Sequence, residues 1–479
     1  MRSISLIGLF VVLLQVVGLR VQAFSLLGPF SSWQTPDIGY DTVFAAFEQG
    51  GPRLRGDEYR LSTPIVTYGV DGSFAEYFGE RGMQAIDDAF NVFNAITNVS
   101  AMSENLTEYP MKSDGVNPTA KVLGLLDLKT TVMAQTLASM GLTAPDRWCW
   151  SVRSRDAGPP PTYSVANFNY DPVSGRPSRY VNETLYSYVI REIFDDSGAP
   201  VLWDAREIPV DSANPTIALA SMVNNAVQAT GDDRLIRAVN PVGRYFTGLT
   251  RDDMGGLRYI YRPENRNYEG APQGSVRGSG VVSNVGGNSG PTESPWTIID
   301  GRGFIGTNVL GGGGTVRPFA NLGVRGGVDK VRFIRVNLDP ILRISPFPVI
   351  ISYPEIVLSN GVAIRQVISR TQTVPDYVFS AADNGVSPPT PVSQVDTQLT
   401  FNNTSIGGAE GPGNIEPRGG IVFSKLGIYT LNRGNTDEED GIPGILWSSF
   451  DGSTNAPVIY PVGTRLSDLE STLLYLRPN

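Results

Sequence analysis

Apolar residues recur at helical spacing in a few stretches of the chain and alternate with polar ones in many more, which predicts an α+β fold. Met83, Ile86, Phe90 and Phe93 stand three and four residues apart, one face of a helix over about 81–96. Val122, Leu126, Met133, Leu137 and Met140 mark a second helix over about 119–142. A third is predicted near 215–228 and a short fourth over about 250–261. Residues 64–71 and 163–207 carry strand patterns, notably Tyr180 to Phe194, and Val331 to Val336 alternates. Ile356–Ser359 and Val362–Arg365 flank Asn360-Gly361, a hairpin with a type I′ turn. Val422, Trp447 and Val458 to Tyr460 mark later strands, and Ser467-Asp-Leu-Glu470 is a capping box for a short terminal helix.

Two segments break these periods. Residues 24–63 read as an extended arm without helical spacing, placing Phe24, Leu26, Leu27, Phe30 and Trp33 close together. Residues 270–327 hold 17 glycines in 58 positions, too few side chains to fill a core, so 266–328 reads as a loop or linker. The predicted organisation is a leader over 1–23, the arm over 24–63, a domain over 64–265, the Gly-rich linker over 266–328, and a β-rich, sandwich-like domain over 329–479.

The leader has a basic start at Arg2, an apolar run from Ile4 to Leu19, and Val21-Gln22-Ala23 as a small-residue cleavage site. The run is shorter than the ~20 residues a bilayer span needs. Export and cleavage after Ala23 are therefore expected, with a secreted, extracellular product that no membrane retains. The chain has 38 Lys and Arg against 47 Asp and Glu, a net charge of −9. An acidic chain without a basic stripe is a poor ligand for nucleic acid.

Composition narrows the chemistry further. The chain has no His and one Cys. Ser-His-Asp and Cys-His catalysis are excluded, as are His-ligated zinc and iron sites and intrachain disulfides. Asp/Glu acid–base work and oxygen-ligated cations remain. Cys149 between Trp148 and Trp150 reads as a buried small hydrophobe.

Two motifs carry a family resemblance. Asp127-Leu128 opens a helix that passes Ala134, Gln135 and Ala138, reaches Met140-Gly141-Leu142 and continues to Ala144. Further on comes Leu249-Thr-Arg-Asp252-Asp253-Met-Gly-Gly256-Leu257-Arg-Tyr-Ile-Tyr261. Together they resemble the matrixin-type metzincin peptidases, whose zinc helix reads H-E-x-x-H-x-x-G-x-x-H and whose closing helix reads L-x-x-D-D-x-x-G. The segment Pro64 to Ile96 is similar to that family's opening strand and helix. The resemblance covers 64–261 and implies a metzincin-like domain of mixed sheet and helices. It also implies what has been lost: the three ligand positions are Ala134, Ala138 and Ala144, and the base position is Gln135. A zinc helix needs His at i and i+4, and a Glu to polarise the bound water. Alanine offers no lone pair and a carboxamide is no base, so neither catalysis, metal nor cofactor is expected. The stretch 145–248 is longer than the family's spacing and must hold inserted β structure.

Weaker candidates remain. Asn435 to Gly441, around Asp437, is an acidic turn with its Gly one place late for an EF-hand loop, and it reads as a solvated loop. Asp252-Asp253 reads as helix capping. Candidate glycan acceptors are Asn98, Asn105, Asn182, Asn402 and Asn403. Three functions stay open on these residues. The first is a secreted, non-catalytic structural protein that assembles with itself as a filament or surface-layer subunit, the arm adding to a neighbour's strand edge. The second is a binding module for peptide or glycan. The third is a carboxylate-dependent hydrolase.

Overall fold

The computed structural model describes residues 23–40, 50–211, 215–223, 242–272, 274–277, 320–339, 341–342, 344–382, 399–401, 413–415, 421–424, 429–430 and 446–475. The fold is mixed α+β, with several sheets and few helices.

Strand Ile65–Val70 lies inside the central sheet. It runs parallel to Arg332–Arg335 on one side and to Tyr377–Ala382 on the other. Ile421–Ser424 continues the parallel run, and Tyr429–Thr430 closes it antiparallel. Helix α1 (Gly72–Asn94) leaves this strand with Asp71 as its cap, which accepts from Phe74 N. It extends well N-terminal of the predicted 81–96, and Gly79 kinks it with a left-handed φ of 60°. Its Phe90 ring lies 4.8 Å from that of Phe333, and Phe74 lies 5.9 Å from Phe423.

This sheet corrects the predicted division of the chain. Four of its strands come from beyond residue 329, and two of them flank the one from the first half, so 64–265 and 329–479 do not fold as separate layers. Leu446–Ser449 likewise pairs parallel with Leu125–Asp127, and Leu399–Phe401 pairs with Tyr59–Leu61. No sandwich of second-half strands alone is formed among the described residues. Alternation reports that a strand is half-buried, not which strand it meets.

The helix predicted over 119–142 is two helices. Pro118–Val122 ends before Gly124, whose φ of 74° breaks the turn. Strand Leu125–Asp127 follows, and then helix α2 (Leu128–Ser139). Helix α3 (Arg251–Tyr261) starts with a capping box between Thr250 and Asp253. Near 215–228 the described residues hold only the 3₁₀ turn Leu219–Met222, and 224–241 lies outside them.

The arm is not free, which corrects its reading as an assembly element. Phe24–Gly28 is a strand that pairs antiparallel with Gly51–Arg53, Leu142–Thr143 and Asn169–Tyr170. Phe24, Leu26 and Leu27 are buried in the main core. Trp33 stacks on Phe168 at 5.7 Å, under the Arg153 guanidinium, and Phe30 packs against Tyr40. An extended apolar segment carries no mark of whose strand edge it will join. Here its own chain supplies three.

Both ends of the Gly-rich stretch are strands of an antiparallel sheet, in the order Asn267–Gly270, Leu322–Arg325, Val349–Ser359, Val362–Gln372 and Val276–Arg277. Residues 278–319 lie outside the described residues. The hairpin turn Asn360-Gly361 has φ of 50° and 75°, as a type I′ turn requires. The long stretch 145–248 holds two hairpins, Ser151–Asp156 with Thr162–Ala166 and Thr184–Phe194 with Pro200–Pro209. Cys149 is buried beside Val181, Tyr186 and Ala218. Among the described residues no helix is long and apolar enough to cross a membrane.

Candidate functional site

Helix α2 begins at Asp127, which links the short strand to the helix. Its Oδ2 accepts from Thr130 N at 2.9 Å and from Thr130 Oγ1 at 2.6 Å. The carboxyl is buried, and that burial pushes it up to about 6 despite those donors. The sign follows directly. A group raised in the folded state favours folding below its ordinary value of 3.8, and that advantage is lost as pH rises through about 6. Asn at this position still caps the helix and cannot ionise. Asp127→Asn is therefore expected to gain stability relative to the wild type between pH 4 and pH 7. Urea unfolding at several pH values reads this, and a difference that does not change with pH rejects it.

From the cap onward α2 is packed on nearly every side. Ala134 is 0% exposed, and Gln135 and Ala138 are 2% exposed. Ala134 and Ala138 lie one turn apart and share the main core with Leu219, Ala220, Met222 and Val223. Ser139 Oγ accepts from the Tyr377 hydroxyl at 2.7 Å, which ties the helix end to the central sheet. Gly141 then takes φ of 99°, and a Cβ there would stand 2.1 Å from the Tyr59 carbonyl. Only glycine fits this turn. Leu142–Thr143 joins the N-terminal strand, and Ala144 is buried outside the core shared by Ala134 and Ala138.

The face of α2 is closed by the chain itself. The turn Leu219–Met222 packs on the helix, and Gln135 Nε2 donates to the Val223 carbonyl at 3.5 Å. Gln135 Oε1 has no partner among the described residues. Helix α3 holds the covering turn in place. Asp253 accepts from Leu219 N at 3.0 Å and Ala220 N at 2.8 Å, besides Thr250 N at 2.7 Å. The neighbouring Asp252 pairs with Asn182, accepting from its backbone N at 2.6 Å while Asp252 N donates to Asn182 Oδ1 at 3.3 Å. Both acids are buried, and burial raises both carboxyls. Capping accounts for part of Asp253. Its hold on 219–220 was not legible, because the distance along the chain gives no sign of it.

At positions 134, 138 and 144 the side chains are methyl groups, and at 135 a carboxamide, so none of the four is an acid or a base. Among the described residues no three His, Cys, Asp or Glu side chains stand together to hold a metal ion. The acidic turn around Asp437 lies outside the described residues.

The sequons separate sharply. Asn105 and Thr107 are exposed on either side of buried Leu106. Asn98 is exposed, but its Nδ2 donates to Asp329 Oδ2 at 2.9 Å, and Ser100 Oγ bonds the same carboxylate. Asn182 is 1% exposed, with φ of 40°, which corrects its reading as an acceptor. Asn402 and Asn403 lie outside the described residues. In a secreting host with the transferase, a glycan is expected at Asn105 and none at Asn182. Glycopeptide mass spectrometry reads this, and an occupied Asn182 rejects it.

No family model, curated protein or solved structure matches the chain.

Proposed function

We propose that the chain is an exported, non-catalytic structural protein, built on a metzincin-like domain whose site has been packed shut, and that it acts by assembling with copies of itself. One observation carries the loss of catalysis. Ala134, Gln135 and Ala138 are buried under the chain's own turn at 219–223, so the face that would present a metal to a substrate meets core instead. Sequence supports the same reading: Asp127-Leu128, Gly141-Leu142 and the Asp252-Asp253 helix remain while every ligand position is Ala. The leader over 1–23 supports export, and no resident cofactor is needed. The buried arm moves the assembly surface away from residues 24–33.

Two measurements on the protein secreted by its host test this. Purified protein is expected to hold no stoichiometric zinc and to leave a panel of unfolded proteins intact, with or without a chelator. It is also expected to scatter light as more than one chain. Chelator-sensitive cleavage would defeat the non-catalytic reading, and a strict monomer would defeat the assembly reading.

A further inference from the structure

The five-stranded antiparallel sheet shows apolar side chains on both faces and keeps its charges on the inner one. Residues directly opposite in antiparallel strands share a face, and successive residues alternate. The registers Tyr268↔Val324, Val324↔Leu358, Ile356↔Arg365, Pro354↔Val367 and Val276↔Ser369 place all of these on one face. That face looks outward: Ile350 is 70% exposed, Ile356 56%, Tyr268 49% and Val276 41%. Arg365 is its one charged residue. The opposite face looks inward and carries every other charge of the sheet. There Glu269 pairs with buried Arg60 at 2.5 Å, Arg325 with Glu355 at 2.9 Å, and Arg370 with Asp376 at 3.0 Å. A sheet with one wetted face ordinarily puts its charges out. This one keeps them in, beside the buried Ile351, Tyr353, Val357 and Ile368, and leaves apolar side chains on the wetted face, in a chain of net charge −9.

Exposed apolar surface of this extent marks an interaction site. We propose that the outer face of this sheet packs against the same face of a second copy of the chain, as the two sheets of a sandwich pack. The proposal rests on the self-assembly reading above and names its surface.

Charge and area favour a second copy. The face holds no carboxylate, so two copies meeting here bring together none of the acids that make the chains repel one another elsewhere. At ~3.4 Å per residue and ~4.8 Å per strand, its two 11-residue strands and three short ones cover about 500 Å². A pair of copies would bury on the order of 1,000 Å², the lower bound for a specific interface. The loop that leads into the hairpin exposes Ile341, Leu342 and Phe347. Asp339 Oδ1 fixes that loop by accepting from Ile341 N at 2.9 Å and Leu342 N at 2.8 Å.

Sedimentation velocity of the full secreted chain, with the double variant I350D/I356D, tests the proposal. The wild type is expected to sediment as a dimer or larger and the variant as a folded monomer, while V189D, an exposed apolar position on another hairpin, still assembles. Ser352→Cys supplies a measurement that does not depend on the acidic variants folding. Ser352 lies on this face and Cys149 is buried, so a bis-maleimide should link two chains through position 352. A wild type that assembles while I350D/I356D assembles equally overturns this face and leaves the assembly reading standing. A monomeric wild type overturns both, including the case in which I350D/I356D loses thermal stability because the chain covers the face itself. Wild type that floats with phosphatidylcholine vesicles when I350D/I356D does not overturns it in favour of a lipid surface.

Discussion

Asp376→Ala is expected to lower the stability of the protein by about 3–5 kcal/mol, the range for breaking a buried ion pair by removing one partner. Arg370 is 1% exposed and Asp376 0%. The pair is bidentate, Nη1 to Oδ1 and Nη2 to Oδ2, both at 3.0 Å. Asp376 Oδ2 also accepts from Thr67 N at 2.7 Å and Thr67 Oγ1 at 3.1 Å, and its Oδ1 accepts from Gln372 Nε2 at 2.7 Å. Arg370 Nη2 in turn donates to the Ile65 carbonyl at 3.0 Å. One carboxylate thus ties the long hairpin of the antiparallel sheet to strand Ile65–Val70 inside the central sheet. Alanine leaves the guanidinium buried without its charge partner, and it leaves Thr67 N without an acceptor. The paired change Arg370→Met with Asp376→Leu removes both charges and is expected to cost less than Asp376→Ala alone. Thermal and urea unfolding read the difference. A single variant within about 1 kcal/mol of wild type would show that the pair contributes little.

The same interaction shows why part of the fold was legible and part was not. Helix α3 could be located from Leu249 to Tyr261 because its apolar period, capping box and aromatic end are all local. Asn360-Gly361 fixed a hairpin for the same reason, since two adjacent positive φ values are a demand on two residues. The partners of Ile65–Val70 are more than 260 residues away, and nothing in Val331 to Val336 distinguishes a parallel neighbour from an antiparallel one. The Gly-rich stretch reinforced the error, because low side-chain density reads as a boundary while its ends are strands of one sheet. The arm failed in the opposite direction. Phe24, Leu26 and Leu27 were rightly singled out as needing cover, and the cover is their own chain. Of the candidate site, the alanines and the glycine turn were legible as positions. Their closure by residues 219–223 was not, because Asp253 holds that turn through backbone amides that carry no residue signature.

Grafting a zinc site onto the positions of the proposed resemblance separates a helix face with room for ligands from one that is filled. The variant Ala134→His, Gln135→Glu, Ala138→His, Ala144→His is expected to bind no zinc and to be destabilised by several kcal/mol. The three alanines are between 0% and 3% exposed, and Ala134 and Ala138 share their core with Met222 and Val223. An imidazole at either position needs room that the packed core does not offer, and overpacking costs about 1–3 kcal/mol per site. Each ring also buries polar nitrogens, and Glu at 135 buries a carboxylate where the Gln135 Oε1 it replaces has no partner among the described residues. Zinc could repay these terms only if the three rings reached one point. Ala144 lies beyond the Gly141 turn, outside the core that holds the other two. Trimming the cover in the grafted chain with Met222→Ala and Val223→Ala should return part of the lost stability, since it supplies the missing volume. In wild type the same two changes should destabilise by opening a cavity. Metal analysis with unfolding curves for the four proteins decides the matter. A grafted chain that folds with wild-type stability and holds one zinc would show that the site is vacant rather than filled. The packing argument for a non-catalytic protein would then fail.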